Sequence, residues 1–194
     1  QDLLPKTTRQ EGAVLIQGAT LHTVSGDTLR DASLLFENGV ITSIAAGGEA
    51  LRGPPGVEVI EGAGKHVYPG FVAVGTILGL TEVGSVDMTN DNNEAGSVTP
   101  EVRAAVAINP DSTLIPVTRR NGVLTAGVMP QGGVVSGRAS VIRLDGWTNA
   151  DLEIVPDAGL VVNWPSVDWL TGATPGSSKD EDAENGSDAL ERLE

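Results

Sequence analysis

Along residues 12–65 the apolar positions come in short bursts separated by turn formers. Segments 14–17, 20–24, 32–36, 40–44 and 57–60 are rich in Val, Ile, Leu and Thr, and Ser25-Gly26-Asp27, Glu37-Asn38-Gly39 and Gly47-Gly48 interrupt them. Bursts of this length and composition predict strands. Asn38-Gly39 is the best hairpin signal, because both residues tolerate positive φ. This region is expected to form a small β-sandwich or a partial barrel.

At Tyr68-Pro69-Gly70 the pattern changes. Phe71-Val72-Ala73-Val74 is a continuous apolar run of the kind a strand buried on both faces produces, and residues 122–128 form a second one, stopped by Pro130. Between them residues 99–108 read as a helix, with Thr99 as N-cap, Pro100 at the first helical position and Glu101 in the first turn. Strand, long excursion with a helix, strand predicts a parallel pair with a right-handed crossover. Two more short strands are expected at 139–144 and 160–163, after a glycine-rich loop. Residues 166–194 hold too little apolar material to offset the entropy of ordering, and are expected to be an acidic, mobile linker ending in the first turns of a helix.

Composition narrows the function classes. The chain of 194 residues has no cysteine and two histidines, His22 and His66, which excludes disulfide frameworks, cysteine-ligated zinc and thiol catalysis. A net charge of −14 argues against nucleic-acid and anionic-membrane partners, and no apolar run is long enough to span a bilayer. An opening Gln without a preceding signal-like segment is expected of a form from which a secretion signal has been removed, which favours a periplasmic or secreted location over a cytoplasmic one.

Gly18-Ala19-Thr20-Leu21-His22-Thr23-Val24, the turn running from Val59-Ile60-Glu61-Gly62 through Lys65-His66-Val67-Tyr68-Pro69-Gly70-Phe71, and Gly122-Val123-Leu124-Thr125 together resemble the amidohydrolase superfamily. Residues 108–112 and 137–146 look like its exported branch related to imidazolonepropionase. The resemblance implies an α/β chain. A β-sandwich module at 1–66 would precede the first βα units of a (β/α)₈ TIM-like barrel at 67–165, with the linker at 166–194. Because such a barrel takes about 250 residues, it would be incomplete here, and its remainder, on the same or a second polypeptide, is the expected partner; a homo-oligomer is the other option.

The family's first barrel strand ends in H-x-H, two imidazoles that share one divalent metal. Those positions here hold Gly75 and Ile77, and Ala73 stands where an acid is usual. The resemblance therefore transfers no catalytic residue, and no cofactor is expected in this chain; zinc is expected only in a full-length form. His22 and His66 are expected in structural or surface roles, in separate modules. By resemblance the full-length form would hydrolyse C–N bonds of dipeptides, other amides or cyclic amides, this chain alone being inactive. The alternative is a noncatalytic scaffold that kept the fold.

Three further features are candidates. The polar loop 81–96 would leave the functional end of the first barrel strand, making Glu82, Asp87, Asp91 and Glu94 candidate acid/base groups or cation ligands, against the plainer reading of a solvated loop. Asp91, Asn93 and Gly96 follow a calcium-loop spacing, but Val102 stands at the twelfth position, where a bidentate Glu is needed. Pro130-Gln131-Gly132-Gly133 could offer amides to an anion, yet lacks the Gly-Lys-Ser/Thr ending of a phosphate loop. Trp164 is expected to pack against a helix layer or line a pocket.

Overall fold

The computed structural model describes residues 10–164. The expected linker at 166–194 and Trp169 lie outside them. The described chain divides into two compact units, with the boundary between Gly70 and Phe71.

The first unit is one mixed sheet. β1 (Ala13–His22), β2 (Thr28–Glu37), β3 (Val40–Ala45) and β4 (Glu58–Glu61) lie in the order β3-β2-β1-β4, and the short β5 (His66–Val67) also pairs β1. Two expected strands, 14–17 and 20–24, are one strand here, broken by Gly18 at φ +71, where the β1–β2 register shifts. The described residues of this unit form a single sheet. The bulge also divides the far edge of β1: residues 14–17 pair in parallel with β4, and Thr20 and Leu21 pair in parallel with His66 and Val67. The expected hairpin is present, with Asn38 and Gly39 at φ +52 and +77 and Glu37 opposite Val40. Ala19, Leu21, Ala32 and Leu34 form the core, and Ala19 faces Ala32 across the β1–β2 ladder.

The second unit is a four-stranded sheet, β6 (Phe71–Thr76), β7 (Val123–Val128), β8 (Val135–Arg143) and β9 (Glu153–Val162), in sequence order. β6 and β7 are parallel, as the apolar runs predict. β8 and β9 are antiparallel to their neighbours, where repeating βα units would have continued in parallel. The cause is the length of the connection. Only Met129 to Val134 separate β7 from β8, and a parallel return needs a crossover of a dozen or more residues.

The β6–β7 crossover contains a 3-10 turn (Asp87–Thr89), α1 (Ala104–Ala107) and α2 (Leu114–Arg120). The helix expected at 99–108 is reduced to the single turn of α1. Thr99 lies outside it, since Arg103 stands at the N-cap, and the Thr99 amide and hydroxyl donate instead to the Val135 carbonyl, at 2.9 and 3.1 Å. Residues 98–103 instead lie beside β8, bridging Val98 to Val135 and Arg103 to Arg138. α2 was not expected, although Pro116 in its first turn, Arg119 and Arg120 in its last and Gly122 at φ +87 just beyond are ordinary helix signals. A short α3 (Asn149–Leu152) is closed by a Thr148–Asp151 capping box.

Alternation along the strands sorts the two faces. Ala73, Ala126, Val128 and Ile142 turn to a core completed by Leu80, Ile108, Ile115, Leu144 and Leu152. Val72, Val74, Gly127, Met129 and Leu160 line an apolar groove of about 480 Å³.

Candidate functional site

At the end of β6, Gly75 adopts φ +74 and the β6–β7 register slips between Val74 and Thr76. Glycine accepts this left-handed backbone without the penalty a Cβ would bring. Thr76 uses its carbonyl to accept from the Met129 amide at 2.9 Å and its hydroxyl oxygen to accept from the Leu78 amide at 3.1 Å. Ile77 packs against the core, as does Ala73. The two positions where imidazoles would meet a metal thus hold a backbone bulge and a core side chain.

The polar loop beyond this strand end spreads its acids apart. Glu82 is half-buried, and its Oε1 accepts from Asn109 Nδ2 at 3.4 Å. Asp87, Asp91 and Glu94 are exposed; Asp87 opens the 3-10 turn, and the Asp91 amide donates to the Leu80 carbonyl at 2.7 Å. Among the described residues no three His, Asp or Glu side chains are gathered closely enough to hold a metal. The calcium-like spacing does not close into a loop either: Asn93 bridges Gln131, whose amide donates to the Asn92 carbonyl. Thr81 Oγ1 and Asn90 Oδ1 are buried without a partner, on residues that bridge each other.

The glycine-rich loop is a crossing point. The amides of Gln131, Val134, Val135 and Arg138 donate to the carbonyls of Asn92, Ser97, Ser97 and Val102, so they are not turned to an anion. A Cβ on Gly133 would lie 2.7 Å from the Ser97 carbonyl oxygen, and one on Gly137 would lie 2.8 Å from that of Val102. These glycines let residues 97–102 pass close over the loop. Asn163 Nδ2 fastens the return of β9 by donating to Ser136 Oγ at 2.8 Å and to the Gly133 carbonyl at 3.0 Å. Trp164 is 78% exposed, so it neither packs against a helix layer nor lines a closed pocket.

Sequence reasoning missed the one cluster of imidazoles. His22 and His66, expected in separate modules, stand together in the first unit, with His22 Nε2 2.9 Å from His66 Nδ1. Tyr68 stacks on His22, its ring centroid 4.3 Å away and its plane 5° from parallel. The alternation His66-Val67-Tyr68 puts two rings on one side of a strand, which was legible. The parallel pairing of that strand with the far end of β1 was not.

No protein-family model matches the chain, and no curated protein matches its sequence. Solved structures do match. An amidohydrolase from Thermotoga maritima MSB8 superposes with a TM-score of 0.71 at 25% identity over 82% of this chain. The chain spans 41% of that protein. A prolidase solved with N-methylphosphonate-L-proline overlaps 59% of this chain and 25% of its own, with a TM-score of 0.39 and 17% identity, too partial a likeness to carry an argument.

Proposed function

From a chain that has the fold of the N-terminal portion of an amidohydrolase, we propose that it is the front part of an amidohydrolase-like protein whose complete form hydrolyses C–N bonds in dipeptides, other amides or cyclic amides, and that this chain alone is inactive. The superposition on the Thermotoga maritima amidohydrolase over 82% of the chain carries the reading. On this proposal β6 and β7 would open a (β/α)₈ barrel, and the mixed sheet of the first unit would be one layer of a β-sandwich. Supporting the barrel is the state of β6. Among the described residues it is an edge strand, with Phe71, Val72 and Val74 at 67%, 60% and 76% exposure, whereas parallel strands are ordinarily covered on both faces. An unpaired apolar edge is a template for another strand, which the remainder of the barrel, on the same or a second polypeptide, or else a second copy, would supply.

The residues of this strand end do not fit a hydrolytic zinc. A catalytic zinc takes three protein ligands and an open position, and Gly75, Ile77 and Ala73 offer no donor atom. Any metal and any general base of the full-length form would come from outside these residues. The same donorless strand end favours a second reading, a noncatalytic scaffold that kept the fold. Assaying a panel of dipeptides and lactams with this chain alone, and with a longer polypeptide that continues it, separates the two. Chelator-sensitive hydrolysis by the longer form alone supports the enzyme, inactivity of both supports the scaffold, and hydrolysis by this chain alone overturns the proposal.

A further inference from the structure

The proposed hydrolase uses none of the aromatic cluster in the first unit. That cluster follows from the bulge in β1. Once Gly18 has shifted the register, Thr20 pairs with His66 and Leu21 with Val67, which brings His22, at the end of β1, level with Tyr68. The His22 and His66 ring centroids are 5.2 Å apart, and Thr28 Oγ1 lies 3.5 Å from His22 Nδ1, on the side of the ring away from His66. His22 is half-buried; His66 and Tyr68 are exposed.

We propose that His22 Nε2 and His66 Nδ1 bind one divalent transition-metal ion, Cu²⁺ in preference to Ni²⁺ or Zn²⁺, with water completing its coordination. The spacing is within the span of one ion. Two nitrogens each about 2.0–2.1 Å from a metal are about 2.9 Å apart when they subtend a right angle, and about 3.3 Å apart at a tetrahedral angle. The observed 2.9 Å is the hydrogen-bond distance of the metal-free pair, close enough for one ion to bridge the two rings after a small reorientation, and the preference for Cu²⁺ rests on its place at the top of the affinity order for nitrogen donors. The acidity of the whole chain, net −14, favours cation approach.

Proton balance is satisfied within the pair. In the metal-free pair one ring donates its N–H to the other, both rings neutral. When the metal takes both facing lone pairs, the bridging proton relocates to the second nitrogen of its own ring. On His22 that nitrogen is Nδ1, where the Thr28 hydroxyl can turn from donor to acceptor and hold the ligating tautomer, as partners of metal-bound imidazoles commonly do. On His66 it is Nε2. Neither route releases a net proton, and no electron is transferred. The Tyr68 ring lies flat on His22 and restrains its tilt.

The test is a Cu²⁺ titration of the chain, free of any polyhistidine tag, followed by pulsed electron paramagnetic resonance. Because the sequence contains only two histidines, two coordinated imidazoles in a complex of one Cu²⁺ per chain, with the chain monomeric by sedimentation, come from this pair, whether or not any variant folds. The expected result is one tight equivalent of Cu²⁺ with two imidazoles, and a loss of roughly tenfold or more in affinity, with one imidazole remaining, in His22→Ala or His66→Ala. A wild-type spectrum with one imidazole or none, unchanged affinity in both variants, or no saturable binding would overturn it.

Discussion

Ser140 carries two hydrogen bonds at once, one buried and one part-buried. Fully buried, its hydroxyl oxygen accepts from the Ala105 amide at 2.9 Å while its proton goes to the Pro156 carbonyl at 2.7 Å, which ties α1 and β9 to β8. Ser140→Ala leaves both backbone groups without that partner, so a loss of about 1–3 kcal/mol is expected in chemical denaturation; an unchanged midpoint would refute the role. Asp151 shows the opposite case, a fully exposed group whose importance is electrostatic direction rather than burial. The Thr148 hydroxyl, and then the amides of Trp147 and Thr148, donate to its carboxylate and hold its pKa below the ordinary Asp value. A depressed carboxylate pKa contributes stability that is complete above the ordinary value and is lost as pH falls through the folded one. A carbon-detected NMR titration should place the Asp151 midpoint below that of Asp in a model peptide, and a midpoint at or above it would be contrary. At this scale the sequence was legible where chemistry was missing, since Gly75 and Ile77 have no donors in any fold. It was silent where two distant residues meet, as His22 and His66 do, because their distance depends on a strand register that local pattern does not encode.

Elements were most legible where turn chemistry and period agree. Asn38-Gly39 between two apolar runs could form only a tight hairpin, and does, with both residues at positive φ. Gly39→Val should therefore cost about 1–2 kcal/mol, the price of a left-handed β-branched residue, read as a lower thermal midpoint; no change would mean the turn can re-form in another geometry. The continuous apolar runs at 71–74 and 123–128 announced a parallel pair. The capping signal at Thr99 and Pro100 misled, because tertiary pairing took the segment: Thr99 donates twice to the Val135 carbonyl and Val98 and Arg103 bridge β8, and one helical turn survives. α2 shows the reverse, its Pro116 and terminal arginines present in the sequence but hidden in a segment without clear apolar periodicity. The direction of β8 was not foreseen, because the strand expected at 139–144 begins at Val135, and only Met129 to Val134 link it to β7, too short a connection for a crossover.

For the whole molecule, the apolar groove lined by β6 and β9 among the described residues is the surface expected to drive self-association. Val74 is 76% exposed and lines that groove, so Val74→Glu should leave stability within about 0.5 kcal/mol while reducing self-association in sedimentation velocity. Equal association by wild type and variant would show that this groove is not the sticky surface. Among the described residues no helix is long and apolar enough to cross a membrane. The second unit is defined by strand direction: β6 and β7 form a parallel pair closed by a long crossover, with antiparallel β8 on the other side of β7. Nuclear Overhauser contacts between α-protons report direction plainly, since they are short across antiparallel strands, where opposed Cα atoms approach to about 4.5 Å. They should be found between residues 125–128 and 140–143 and be absent between 71–74 and 123–127. Strong α-proton contacts joining Phe71 to Val74 with β7 would make that pair antiparallel and contradict the central claim.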